Sequence, residues 1–267
     1  MNIEKNEELP VIILAGGKGT RLGSGFEQIP KPLVRIGEFP ILLHIMSIYV
    51  KYGSRRFIIC TGFESIAFTK YFESICCFKS GDEFELDMLI FDKISNQSFS
   101  NGSEIISVKI LDTGLETTTL GRIKKARHYI TSEVFLATYG DGVADIDIGK
   151  VLKFHKTNRF EVTLSAFHPP SRFGELTLDK SGQVKTFEEK QLSAALVNAG
   201  FFVMNRNGFI DDADVGETLE EGLLSELCAR DLLGAVSFET RWQMMDTPRE
   251  VEILSNYVLE QNAFWLL

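Results

Sequence analysis

The chain lacks any apolar run of the roughly 18 residues that a membrane-spanning helix needs. It also lacks an excess of basic charge: 28 Lys and Arg stand against 37 Asp and Glu, a formal net charge of −9 over 267 residues. That balance excludes the basic field of a nucleic-acid-binding surface. No secretory leader is expected, since the first ten residues are polar and acidic. Cysteine is scarce, and Cys60, Cys76, Cys77 and Cys228 have no metal-ligand spacing. Free thiols in a reducing compartment are expected, because adjacent cysteines rarely bridge each other. These absences predict a soluble cytoplasmic protein with no membrane and no nucleic-acid partner. Internal repeats and linkers are missing as well. The length and a hydrophobic content of 44% therefore predict one large α/β domain with a sizeable core.

What is present begins at Val11-Ile12-Ile13-Leu14-Ala15-Gly16-Gly17-Lys18-Gly19-Thr20-Arg21-Leu22. A continuous aliphatic run bounded by a breaker reads as a buried strand of a parallel sheet. Three glycines in the next four positions let backbone N–H groups approach a phosphate, with Lys18 and Arg21 supplying charge. A nucleotide is the natural ligand of such a loop. It is not a Walker A loop, for no Gly-Lys-Ser/Thr closes a four-residue spacer. Nor is it the dinucleotide Gly-x-Gly-x-x-Gly, because Leu22 stands in place of the third glycine.

Further along, Phe39–Tyr52 has apolar residues at helical spacing, with Pro40 near its start and Gly53 just after its end. Arg56–Cys60 reads as a strand, Glu64–Phe72 as a helix, and Phe84–Phe91 and Ile105–Leu111 as strands around an exposed loop, Asp92–Glu104. Thr118–Tyr129 is a basic helix, Val134–Thr138 a buried strand and Asp147–Lys156 a helix. Val162–Phe167, Glu175–Leu178, Val184–Phe187 and Val197–Met204 read as strands, the middle two joined by a hairpin turn at Asp179-Lys180-Ser181-Gly182. A strand near Ala235–Phe238 separates helices at Glu217–Asp231 and Pro248–Gln261. Such alternation predicts a Rossmann-like, doubly wound, mostly parallel sheet with helices on both faces. Residues 1–10 read as an extension and 11–262 as one domain. Within it, 84–111 reads as a small β-hairpin insertion, and 263–267 as a tail.

Ligands of such sheets bind outside the carboxyl ends of the strands. Arg21, Lys31, Asp141, Lys190 and Asp246 all fall at such places. Two carboxylates and three cations on one edge suit phosphoryl or nucleotidyl transfer. A hard divalent ion takes one or two carboxylates plus substrate phosphates, and cations offset the charge on the reacting and leaving groups. Each residue also has a plain structural reading: Asp141 capping a turn, Asp246 near a helix N-cap, Lys190 at a solvated strand end.

The loop Leu14–Leu22 followed by Lys31-Pro32 resembles the sugar-1-phosphate nucleotidyltransferases. Within that family the likeness is to the glucose-1-phosphate cytidylyltransferase subgroup. It rests on Tyr139-Gly140-Asp141-Gly142-Val143-Ala144-Asp145, Pro169-Pro170-Ser171-Arg172-Phe173-Gly174, Asn198-Ala199-Gly200-Phe201-Phe202 and Trp242–Thr247, and it runs from about Val11 to Tyr257. The resemblance implies in-line attack by a sugar 1-phosphate on the α-phosphorus of CTP, with Mg2+ as cofactor and CDP-sugar and pyrophosphate as products. Asp141 and Asp246 would hold the metal. Arg21 would stabilise the pyrophosphate and Lys31 contact the triphosphate, with Asp141 and Lys190 completing the catalytic set. Leu14, Ala15, Gly16, Gly17, Gly19, Thr20, Arg21, Thr113, Arg122 and Gly140 would surround the nucleotide. Gly174, Glu189, Lys190, Asn198 and Gly200 would take the sugar phosphate. A homo-oligomer is also implied, with 84–111 a candidate for subunit contacts.

Four departures from the family pattern stand out. Ile29 replaces a lysine, Glu64 replaces a lysine, Leu120 replaces a glycine beside Arg122, and Gln191 replaces a proline. They favour an active enzyme with room for a different base or sugar, as in guanylyl- or thymidylyltransferases. The alternative, a non-catalytic nucleotide-binding subunit, predicts erosion of Arg21, Lys31, Asp141, Lys190 and Asp246, all of which are present.

Overall fold

The computed structural model describes residues 9–19, 22–23, 25–26, 28–98, 104–169, 174–188, 195–208 and 216–266. Thr20, Arg21, Glu189 and Lys190 lie outside the described residues. In chain order the strands are β1 (Val11–Leu14), β2 (Arg35–Ile36), β3 (Phe39–Pro40), β4 (Arg56–Thr61), β5 (Phe78–Ser80), β6 (Glu83–Asp87), β7 (Ile105–Asp112) and β8 (Val134–Tyr139). Then come β9 (Gly142–Ala144), β10 (Val162–Phe167), β11 (Glu175–Leu178), β12 (Val184–Glu188), β13 (Val197–Asn205), β14 (Leu233–Phe238) and β15 (Trp242–Met244). The α-helices are α1 (Ile41–Lys51), α2 (Ser65–Ile75), α3 (Leu89–Ser95), α4 (Thr119–Ala126), α5 (Ile148–Thr157), α6 (Ser225–Ala229) and α7 (Pro248–Leu259).

A nine-stranded sheet in the order β14-β10-β13-β8-β1-β4-β7-β6-β5 forms the centre. Only β13 and β6 run against the other seven strands, as their antiparallel pairings on both sides require. β1 is buried at all four positions, and it lies between β4 and β8, parallel to both. Strands covered on both faces read as unbroken aliphatic runs, which is why β1 was legible without any alternation. β8, β1, β4 and β7 point the same way. Their carboxyl ends therefore share one edge, and the loops leaving them face one another.

Every residue of α1 from Ile41 to Val50 is buried. A helix apolar on all sides needs cover on all sides. Part of that cover comes from residues 263–266, expected as a tail but buried. Trp265 Nε1 donates to His44 Nδ1 at 3.3 Å, and Phe264 and Trp265 meet edge to face with centroids 4.9 Å apart.

Three expectations are corrected. The Phe84–Phe91 strand stops at Asp87, whose Oδ1 accepts from Leu89 N at 2.9 Å and opens α3; Asn96, at φ +53°, ends it. The Asp92–Glu104 loop is accordingly helical up to Ser95. The 84–111 segment, expected as a small β-hairpin insertion, lies in the main sheet, with β6 paired to β7 and β7 to β4. The helix expected over Glu217–Asp231 divides into a π-helical turn, Leu219–Leu224, and α6.

Candidate active site

A short ladder completes the site. β9 follows β8 directly and pairs antiparallel with β15, placing Met244 opposite Gly142. Beyond that pair, Met245 N donates to the Asp141 backbone oxygen at 2.8 Å. Asp141 and Asp246, a hundred residues apart in sequence, thus emerge side by side. Asp246 does not cap α7. Thr247 is the N-cap and Glu250 closes a capping box, its carboxylate accepting from both Asp246 N and Thr247 N. That division of labour leaves the Asp246 carboxylate available for the site.

Lys31 lies between the two carboxylates. Its Nζ donates to Asp141 Oδ2 at 2.7 Å and to Asp246 Oδ1. Lys31 is only 8% exposed and sits in a 3-10 turn, Lys31–Leu33, that begins behind Pro30 and contains Pro32. Prolines stiffen this segment and aim the ammonium. The three side chains sum to one negative charge, and Asp141 Oδ1 is buried without a hydrogen-bond partner. An orphaned carboxylate oxygen costs free energy unless a ligand satisfies it. A divalent ion held by these two carboxylates plus phosphate oxygens fits this donor set. Among the described residues no group of three or more acidic, His or Cys side chains could hold a metal without such help.

The glycine loop is tied from beneath by Arg122. This guanidinium, 4% exposed, donates to Thr61 O at 2.7 Å, to Gly16 O and Leu115 O at 3.2 Å each, and to Thr113 Oγ1. Burial pulls its pKa down from the usual arginine value, though arginine stays protonated. Arg122, expected beside the nucleotide, joins the ends of β1, β4 and β7 through these bonds. A Cβ on Gly16 would stand 2.1 Å from the Arg122 Cζ, so any larger residue there has to displace the guanidinium from its acceptors. Thr113 is equally internal, 2% exposed, its hydroxyl donating to Thr61 O at 2.6 Å. Leu120, the departure beside Arg122, is fully buried among Ile12, Ile58 and Cys60 and faces the core, not the loop.

The other expected residues fall as follows. Leu14 and Ala15 are buried at the end of β1, Gly17 and Lys18 are exposed, and Gly19 lies against Lys31. Lys18 meets Glu116 at 3.5 Å on the surface. Gly140 N donates to Leu14 O at 3.1 Å and joins the glycine loop to the Asp141 turn. Gly174 is exposed at the start of β11. Asn198 and Gly200 belong to β13, where the pairing with β10 is irregular. Gly200 has φ +82°, and the Tyr139 ring occupies the space a Cβ would need, 2.3 Å away.

Asp141 also lines a cavity of about 240 Å³, together with Tyr139, Asn198, Glu220, Trp242 and Met244. Trp242 Nε1 donates to Ala199 O at 3.2 Å, which holds the indole in place. Tyr139 donates to Glu220 Oε1; burial first, and then Glu220, push its pKa well above the usual tyrosine value. Sequence reasoning missed Glu220, which stands in a run of acidic residues that reads as a solvated helix start.

The four cysteines are free. Among the described residues no helix is long and apolar enough to cross a membrane.

Comparison with known proteins gives the family. Residues 10–236 match the family model described as nucleotidyl transferase. A glucose-1-phosphate cytidylyltransferase of Salmonella typhimurium is 38% identical over 96% of this chain and 98% of its own length. A probable glucose-1-phosphate cytidylyltransferase of Bacillus subtilis is 35% identical, with 96% of each chain covered. In fold, the crystal structure of HddC from Yersinia pseudotuberculosis aligns over 93% of this chain and 98% of its own, with a TM-score of 0.61 at 21% identity. The chain belongs to the nucleotidyl transferase family.

Proposed function

We propose that this nucleotidyltransferase moves a cytidylyl group from CTP to an aldose 1-phosphate, glucose 1-phosphate in the first instance, giving CDP-sugar and pyrophosphate. The relatives at 35% and 38% identity carry the base and sugar, since both are named for that reaction. The single structural observation behind the chemistry is the Lys31 ammonium between two carboxylates, one of whose oxygens is orphaned.

Asp141 and Asp246 are the residues that would hold Mg2+. When bound, the ion supplies positive charge to the phosphates as they react. Lys31, exchanging its carboxylate partners for phosphate oxygens, steadies the charge spreading over the α-phosphate. An oxygen of the sugar phosphate forms the new bond to the α-phosphorus while the bond to the bridging oxygen of the β-phosphate breaks, so that oxygen leaves with pyrophosphate. The chain needs no nucleophile of its own, and positioning provides much of the rate. Arg122 keeps the loop of Gly16 and Gly17 seated over the strand ends. By resemblance, Arg21 and Thr20 serve the triphosphate, Lys190 and Glu189 the sugar phosphate, and Gly174, Asn198 and Gly200 the sugar pocket. A cytoplasmic homo-oligomer completes the proposal. The exposed apolar residues Leu176, Leu178, Val184 and Phe187 of the β11–β12 hairpin suit self-association.

The test is pyrophosphate release with Mg2+ and glucose 1-phosphate, offering CTP, UTP, dTTP, GTP and ATP in parallel. Turnover with CTP alone is expected. Turnover with another triphosphate overturns the base, and silence across all five and a wider panel of sugar phosphates overturns the activity.

A further inference from the structure

The cavity beside Asp141 contains a second carboxylate that the reaction above leaves without a role. Glu220 stands on the π-helical turn Leu219–Leu224, a rare conformation often found at functional sites. The turn is firmly anchored. Thr218 Oγ1 accepts from Glu221 N at 3.1 Å, and Thr119 Oγ1 accepts from Leu219 N at 2.8 Å. The Thr119 hydroxyl then donates to Glu220 Oε2 at 3.2 Å, and the Tyr139 hydroxyl donates to Oε1. Tyr139 is held in turn by the close fit over Gly200 and by an edge-on contact with Phe202, centroids 5.7 Å apart.

A carboxylate offers about four acceptor sites. Two are used inside the protein, and the residue is otherwise open to solvent and lines the cavity. A negative charge here repels a phosphate placed beside it, so the phosphate belongs at the Lys31 end. The part of the acceptor left for Glu220 is neutral and rich in hydroxyl donors. Hydrogen bonds to an ionised acceptor are about twice as strong as neutral ones.

We propose that Glu220 is a specificity-determining residue: held by Tyr139 and Thr119, its carboxylate accepts a hydrogen bond from a hydroxyl of the sugar. This rests on the sugar-1-phosphate reading of the same site. Tyr139 acts through Glu220 as a positioning residue.

The experiment compares unmodified protein with E220A and E220Q, using glucose 1-phosphate and its 2-, 3-, 4- and 6-deoxy analogues. CTP affinity is measured separately by calorimetry. The expected result in E220A is a rise in KM for glucose 1-phosphate on the order of tenfold, with CTP binding within about twofold. E220Q, which keeps an acceptor oxygen, should recover part of that loss. For one deoxy analogue the same substitution should cost nothing further, because the hydroxyl that Glu220 reads is already gone. Y139F should shift sugar KM in the same direction. Unmodified protein that turns over while E220A keeps its sugar KM, or loses equally with every analogue, overturns the role of Glu220 alone. Unmodified protein that uses no sugar phosphate overturns both readings.

Discussion

Lys31 and Arg122 are both buried cations at the carboxyl edge of one sheet, 8% and 4% exposed, yet they are bound in opposite ways. Lys31 faces two carboxylates, one of them lining an open cavity. Arg122 faces three backbone carbonyls and a threonine hydroxyl. A compact ammonium on a flexible stem can change partners, whereas a planar guanidinium is suited to a fixed fork of acceptors. Charge meeting charge beside a cavity marks the place where partners are exchanged. Charge meeting neutral oxygen, sealed inside, marks framework. His44 extends the contrast, because burial forces its pKa down to about 4 and it sits in the core uncharged.

The contrast is broken most severely at Asp141. Asp141→Asn should lower turnover on the order of 10³-fold with little change in Tm, as expected for a lost charge at the reacting centre. Pyrophosphate release and a thermal melt check this, and near-normal rates would remove Asp141 from the metal site. Arg122→Ala should behave oppositely. Leaving buried carbonyls unpaired should cost about 3 kcal/mol of stability, read by urea unfolding. Stability within 1 kcal/mol of the parent would show that Arg122 is not framework.

His44 gives a pH dependence of definite sign. The unfolded chain takes up a proton at His44 near pH 6.5, while the folded chain resists until about 4. Stability should therefore fall as pH drops through that window, by about 3 kcal/mol in all, and be level above it. H44Q should remove this slope; identical pH profiles for the two proteins would contradict it. The smallest effect concerns Lys31. K31Q should raise the affinity of the nucleotide-free protein for Mn2+ by about tenfold, since an internal counter-ion has gone. Unchanged binding by electron paramagnetic resonance would mean that the ammonium does not compete with the ion.

Much of this was legible beforehand, for physical reasons. β1 and β8 were visible because buried parallel strands are unbroken apolar runs, and α7 because Pro248 stands at its first position. α3 was misread because its apolar residues mimic a strand over so short a length, although Asp87 and Asn96 mark its two ends. Asp141 and Asp246 were recognisable from the segments around them. The inward turn of Arg122 and the hold of Tyr139 and Thr119 on Glu220 were not. Each depends on the register of strands far apart in sequence, and no local pattern encodes that.

The β9–β15 ladder has a consequence for synthesis. Lys31 and Asp246 are separated by 215 positions and Asp141 and its partner strand by about a hundred. Domains fold as units, and the central sheet of this one draws on strands from both ends of the chain. The glycine loop, Lys31 and Asp141 are all synthesised well before β15 and Asp246. A chain that stops before β15 contains every strand of the central sheet but lacks half of the carboxylate pair. The site is complete only once Asp246 has been synthesised.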